Sequence, residues 1–196
     1  MAALPASAAC STSGHARARR WRRSPPGSSG CWSRQLPQLS RIPRDEPLYC
    51  LLLCFTESDF TAAWPPFLVW GRQSYRDAVL ARGEDVAYYL WAPDEMRGGQ
   101  GDADECWFDD EALVEACKHH SQYVELRRSD VSAKRVLKNV AAWLDAPERR
   151  ALLNTTDDFV VAVAVADNTG SIDPLPGMHR AIGPERWARL KERGYV

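Results

Sequence analysis

The sequence predicts an α+β fold: a single sheet of about four to five strands with helices packed on it, behind a disordered N-terminal extension. Three observations predict it. The apolar runs Leu48–Phe55 and Phe159–Ala166 have strand length and no helical gaps. The stretch "SDVSAKRVLKNVAAWLDA" sets Val136, Val140, Trp143 and Leu144 on one helical face. Composition changes near residue 45, dividing the chain into a basic, Ser/Arg/Pro-rich extension over 1–45 and a single α+β domain over 46–196.

Residues 1–44 hold eight arginines (Arg17, Arg19, Arg20, Arg22, Arg23, Arg34, Arg41, Arg44), no lysine and no acidic side chain. Such a leader fits an organellar transit peptide, and it lacks the apolar segment of a secretory signal. A disordered tail, a mis-assigned start in GC-rich DNA and a functional basic arm fit the same composition.

The domain's elements follow in order. "PLYCLLLCF" reads as a buried strand, and "TESDFTAAWPP" as a polar connection. "FLVWGRQSYRDAVLARG" reads as a helix with a stripe of Val69, Tyr75, Val79 and Leu80, stopped by Gly83. "DVAYYLW" is aromatic and β-rich, which predicts a strand. "APDEMRGGQGDADE", with its paired glycines, predicts a loop. "FDDEALVEACKHH" predicts a helix capped by Asp109 or Asp110, with His119 and His120 in its last turn. "YVELR" reads as a strand. The helix carrying Val136 follows, capped by Ser129 or Asp130, and "PERRALLN" is a short further turn. "DFVVAVAVA" predicts a central strand. "GPERWARLKERG" closes the chain as a helix, with Pro184 at its first position, Trp187 and Leu190 three apart, and Gly194 at its end.

Charge and cysteine usage narrow the function. Outside residues 1–44 the chain carries 17 basic and 26 acidic side chains, a net of −9. That body repels nucleic acid and suits a protein partner of basic character. No apolar run reaches the ~18 residues of a membrane span, so no membrane partner is expected. Cys50 and Cys54 lie four apart on one strand, on the same face but too distant to bridge. Cys10, Cys31, Cys106 and Cys117 complete the six. A reducing location, the cytoplasm, is expected, or an organelle if residues 1–44 are a transit peptide.

Three constellations could carry chemistry. After the last apolar run comes "DNTGS", which resembles the signature of haloacid-dehalogenase-type phosphatases and P-type ATPases. That resemblance implies Asp167 as nucleophile, Thr169 two residues on, and magnesium to balance phosphate charge. Only 29 residues follow Asp167, with Ser171, Asp173 and Lys191 as the obvious candidates to complete a site. The same residues are those with which a chain leaves a strand and turns, and the turn is the preferred reading. Cys106, Cys117 and His120 offer three soft ligands for zinc, with Cys117 and His120 on one helical face, but the paired Cys-x-x-Cys spacing is missing. The acidic stretch "GDADECWFDDE" lacks the glycine and final glutamate of a calcium loop, and reads as a solvated loop. There is no P-loop, Gly-x-Ser-x-Gly or Gly-x-Gly-x-x-Gly in the folded part, and no cofactor is implied.

From about Glu46 onward, "LYCLLLCF", "YYLWAPDE", "DDFVV" and "PERWARLKERGYV" together resemble a bacterial domain family. Its members are stand-alone proteins without an assigned activity, some encoded near toxin-immunity genes. The shared motifs are structural and carry over no site residues. Asn168-Thr169-Gly170 stands where similar proteins commonly place an acidic residue. The reading is therefore a non-enzymatic protein-binding domain, of the immunity type, that engages a basic partner through Asp102, Asp104, Glu105 and Trp107. The alternative is a metal-dependent phosphohydrolase using Asp167.

Overall fold

The computed structural model describes residues 39–55, 66–100, 104–108, 110–127, 131–166, 175, 178–179 and 182–196. One mixed sheet of four strands runs through them in the order β3-β2-β1-β4. β1 (Leu48–Phe55) pairs antiparallel with β2 (Phe67–Arg72) and parallel with β4 (Thr155–Val165). β2 pairs antiparallel with β3 (Glu105–Trp107). The fold is α+β, with helices on both faces of the sheet.

Alternation along β1 assigns its side chains to two cores. Leu51, Leu53 and Phe55 pack with Leu68, Trp70, Phe159 and Val161 beneath α4 (Glu111–Arg127) and α5 (Val131–Leu144). Cys50, Leu52 and Cys54 pack with Val69, Val160 and Ala162 on the opposite face. That face is covered by α1 (Gln73–Arg82), α2 (Val86–Trp91), α3 (Pro93–Gln100) and α7 (Pro184–Glu192). A strand buried on both sides must be apolar throughout, which is why "LYCLLLCF" has no polar gaps. The first core also takes in Leu39 and Ile42, ahead of Glu46.

Several predicted elements hold. Val140 and Leu144 of α5 are buried, and Val136 and Trp143 pack against them. Asp110 caps α4, its Oδ1 accepting from the Leu113 N–H at 2.8 Å. Gly83 ends α1 at φ 70°, a left-handed position that suits glycine. Pro184 opens α7, and α6 (Pro147–Arg150) is the short turn expected of "PERR".

Others are corrected. Phe67–Arg72 is a strand, so Val69 belongs to the sheet; of the predicted stripe, Tyr75 and Val79 are buried on α1 while Leu80 faces outward. "VAYYLW" is helical: Val86, Tyr89 and Leu90 meet the core at three- and four-residue spacing, and this packing overrides the β-propensity of the aromatic residues. Pro93–Gln100 is also a helix; fully buried Met96 anchors it, and the glycine pair falls in its last turn. "YVELR" continues α4, which leaves His119 and His120 in mid-helix. Among the described residues β4 is an edge strand of this sheet, not a central one. It reads as central because Phe159, Val160 and Ala162 are fully buried, with α5 and α7 packed on it.

A bulge shapes the start of β1. The register passes from Leu48↔Arg72 to Cys50↔Gly71, so Tyr49 is the extra residue. Tyr49 and Cys50 therefore both enter the second core. The Tyr49 hydroxyl donates to the Leu90 carbonyl at 2.7 Å, and its ring meets Trp91 edge-on at 5.7 Å. Gly71 leaves room for that ring: a Cβ there would lie 2.4 Å from two Tyr49 ring carbons and 2.7 Å from Cys50 Sγ.

Beside Tyr49 lies a buried ion pair. Arg76 Nη1 donates to Asp158 at 2.9 and 3.0 Å, and Arg193 reaches the same carboxylate at 2.6 Å. Burial works to raise the Asp158 carboxyl; the hydrogen bonds from Thr156 and Arg76 and the nearby positive charges outweigh it, and hold the group below the usual range.

Two outcomes follow for stability. Gly71→Ala should cost about 1–3 kcal/mol by overpacking, read from the urea midpoint; a midpoint equal to the parent's would show that the Tyr49 ring yields freely. Because the folded-state value of Asp158 is lowered, its contribution is complete above the ordinary Asp value of 3.8 and fades as pH falls through the folded value. Unfolding free energy measured against pH should therefore drop on that acid limb, and Asp158→Asn should flatten the drop. Parallel acid limbs would contradict the assignment.

Candidate functional site

β3 carries most of the described residues that the sequence marks for binding, and Arg72 sets its position. This guanidinium donates through Nε and Nη2 to Asp104 at 2.9 to 3.0 Å, and through Nη1 to Asp45 and Glu46 at 3.2 Å. Trp70 adds its indole N–H to Asp104 at 2.8 Å and its backbone N–H to the Asp104 carbonyl at 3.3 Å. Glu46 also accepts from the Ser74 backbone N–H at 3.0 Å, and so caps α1 from a distant part of the chain. Burial works against its charge; the bonds from Ser74 and Arg72 prevail, and its carboxyl lies below its ordinary value.

Asp104 is thus an interior residue, 2% exposed. Both its oxygens serve the fold, which withdraws it from the outward face that the sequence suggested. An acid-rich stretch does not distinguish a buried carboxylate from a solvated one, because the deciding partners lie over 30 residues away. Asp102 lies outside the described residues.

Glu105 and Trp107 behave differently. Successive residues of a strand face opposite sides, so these two stand together while Cys106 turns into the core. The Trp107 ring stacks on Phe67 with centroids 4.3 Å apart and planes 19° from parallel, and is 47% exposed. Its indole N–H donates to Glu105 at 3.0 Å. Arg97 donates to the other Glu105 oxygen at 2.8 Å, pairs with Asp94, and lies 5.4 Å over the Phe67 ring. Burial alone would raise the Glu105 carboxyl, but the bonds from Arg97 and Trp107 lower it. Arg97 and Phe67 are the members that sequence reasoning missed. The Asp94–Arg97 spacing would have revealed the first, had Pro93–Gln100 been read as a helix.

The other candidates are dispersed. Cys106 is buried, with its thiol 3.8 Å from the Trp107 carbonyl, and Cys117 is fully buried. His120 is half-buried, and burial lowers its pKa. His119 meets Glu115 at 3.1 Å one helical turn away. Among the described residues no three His, Cys, Asp or Glu side chains group to hold a metal ion. Asp167 and Thr169 lie outside the described residues, as do Asp109, Ser129 and Asp130. No helix among the described residues is long and apolar enough to cross a membrane. Comparison with protein-family models, curated proteins and solved structures finds no match.

The geometry separates two neighbouring residues. Asp104→Ala should cost about 2–3 kcal/mol, since it removes the carboxylate that accepts from the Trp70 indole N–H and from Arg72 Nε and Nη2, whereas Trp107→Ala should cost about 1 kcal/mol or less. Urea denaturation of both variants reads this, and equal stabilities would show that Asp104 is not held as described.

Proposed function

We propose that this chain is a non-enzymatic protein-binding domain, of the immunity type, that engages a basic partner at the β3 edge. The observation that carries the reading is Trp107: a large aromatic ring, half exposed, yet already fixed by stacking on Phe67 and by its bond to Glu105. A ring held in place loses little freedom on binding, and tryptophan is enriched among residues that dominate interface energies. The net charge of −9 outside residues 1–44 favours a basic partner and speeds encounter. The contacts are Trp107 and Glu105, with Asp102 as a third. Cys50 and Cys54 are buried as free thiols, which suits a reducing compartment such as the cytoplasm. The resemblance to a family with members near toxin-immunity genes agrees with this reading.

The product of the gene adjacent to this one is the partner to test. Association followed by interferometry should slow about tenfold or more between roughly 50 and 500 mM salt. Trp107→Ala should weaken affinity about 30-fold, or about 2 kcal/mol. Binding indifferent to both changes would count against the proposal.

A further inference from the structure

Arg150 differs from the other arginines drawn into the fold. Arg72, Arg76, Arg97, Arg149 and Arg186 are each wholly or partly withdrawn from solvent, and each meets a carboxylate. Arg150 is half-buried too, yet among the described residues no carboxylate meets it. Its guanidinium lies over the ring of Phe159, 5.7 Å from the centroid, a contact that steadies the side chain without neutralising it. A charge held partly out of water without a counterion costs free energy that a bound anion would recover.

The same side chain lines an open cleft of about 460 Å³, together with Pro147, Ala151, Leu153, Asn154 and Thr155. That volume is in the range of small-ligand sites. The walls are fixed by backbone bonds. After α6 the Leu152 and Leu153 N–H groups bond to the Arg149 and Arg150 carbonyls at 3.0 and 2.9 Å. The Leu48 N–H then bonds to the Asn154 carbonyl at 2.9 Å, and Asn154 Nδ2 donates to the Arg44 carbonyl at 3.3 Å. The turn is thereby tied to β1 and to the segment ahead of it.

The chemistry of the lining selects the ligand. No acid lines the cleft, and the one acid between residues 147 and 156, Glu148, is paired with Arg149. Arg150 supplies a planar fork that takes two oxygens of an anion. The Thr155 hydroxyl and the second N–H of the Asn154 amide are donors for a third. A carboxylate has only two oxygens to offer, whereas a phosphomonoester has three. Pro147, Ala151 and Leu153 give the cleft an apolar side that suits a short carbon chain.

We infer that this cleft binds a small phosphomonoester, its phosphate held by Arg150, Asn154 and Thr155. The cleft lies at the β4 edge of the described sheet, with β3 at the other edge, so the inference is independent of the β3 reading.

Glycerol 3-phosphate titrated into the full chain at constant ionic strength tests it, followed through the amide chemical shifts of Asn154 and Thr155. Both shifts should move and saturate. Arg150→Gln should weaken binding about tenfold or more, and Arg150→Lys, which keeps the charge and loses the fork, should fall between that variant and the parent. Thr155→Val should weaken it about threefold or more. Arg135→Gln, at an exposed arginine of α5, should leave it unchanged. Glycerate, a carboxylate on a similar carbon chain, should bind at least about tenfold more weakly. Shifts that fail to saturate, or a titration that neither Arg150→Gln nor Thr155→Val alters, would overturn the site. Equal weakening by Arg135→Gln would reduce it to general surface charge, and glycerate binding as tightly would overturn the phosphate assignment.

Discussion

The Arg76 guanidinium, buried between the Asp158 carboxylate and the rings of Tyr49 and Tyr195, is the interaction around which the second core is organised. A charge withdrawn from water must be paired and hydrogen-bonded, or it destabilises the fold by several kcal/mol. Arg76 comes from α1, Tyr49 from the bulge in β1, Asp158 from the start of β4, and Tyr195 from the chain's last turn. These segments cannot shift independently without exposing or stranding the ion pair. The bulge belongs to the same arrangement, since the extra residue delivers Tyr49 to the face where Arg76 lies, and Gly71 leaves the space for its ring. The chain's end is tied in as well: the Trp91 indole donates to the Tyr195 carbonyl at 2.7 Å, and Arg193 shares Asp158.

A second arginine organises the opposite edge of the sheet. Arg72 gathers Asp45, Glu46 and Asp104, and so joins the segment ahead of β1, the end of β2 and the start of β3. A strand of three residues has too few ladder bonds to hold itself in place. The carboxylate preceding it supplies the anchor. Glu105 and Trp107 can face outward because Asp104 faces in. The acidic segment thus divides its work at single-residue resolution, one carboxylate fixing the strand and the next orienting an exposed indole.

Trp107 stood out in the sequence as a large aromatic in an acidic loop, and the structure leaves its ring half exposed. The sequence did not show its rigidity. Phe67 beneath it lies across a strand pair 40 residues away, and Arg97 comes from a helix masked by two glycines. Asp104 shows the reverse case. Its residue type and neighbours suggested a solvated acid, and only the approach of Trp70 and Arg72 made it interior. The cysteines followed the expected logic more closely: Cys50 and Cys54 share the second core, spaced as alternation requires.

What the sequence determined by itself is what depends on local pattern. The doubly apolar strands β1 and β4, the amphipathic face of α5, the Asp110 cap and the glycine stop of α1 are each written in neighbouring residues, because strand alternation, helical periodicity and capping act over a few positions. Tertiary structure alone decided the rest. Whether "VAYYLW" would be helix or strand turned on which surface Val86 and Leu90 could bury against. The place of β4 at the edge of the described sheet, and the inward turn of Asp104, turned on partners distant in the chain. Burial and ion pairing join residues by their separation in space, and the order of the chain does not record that separation.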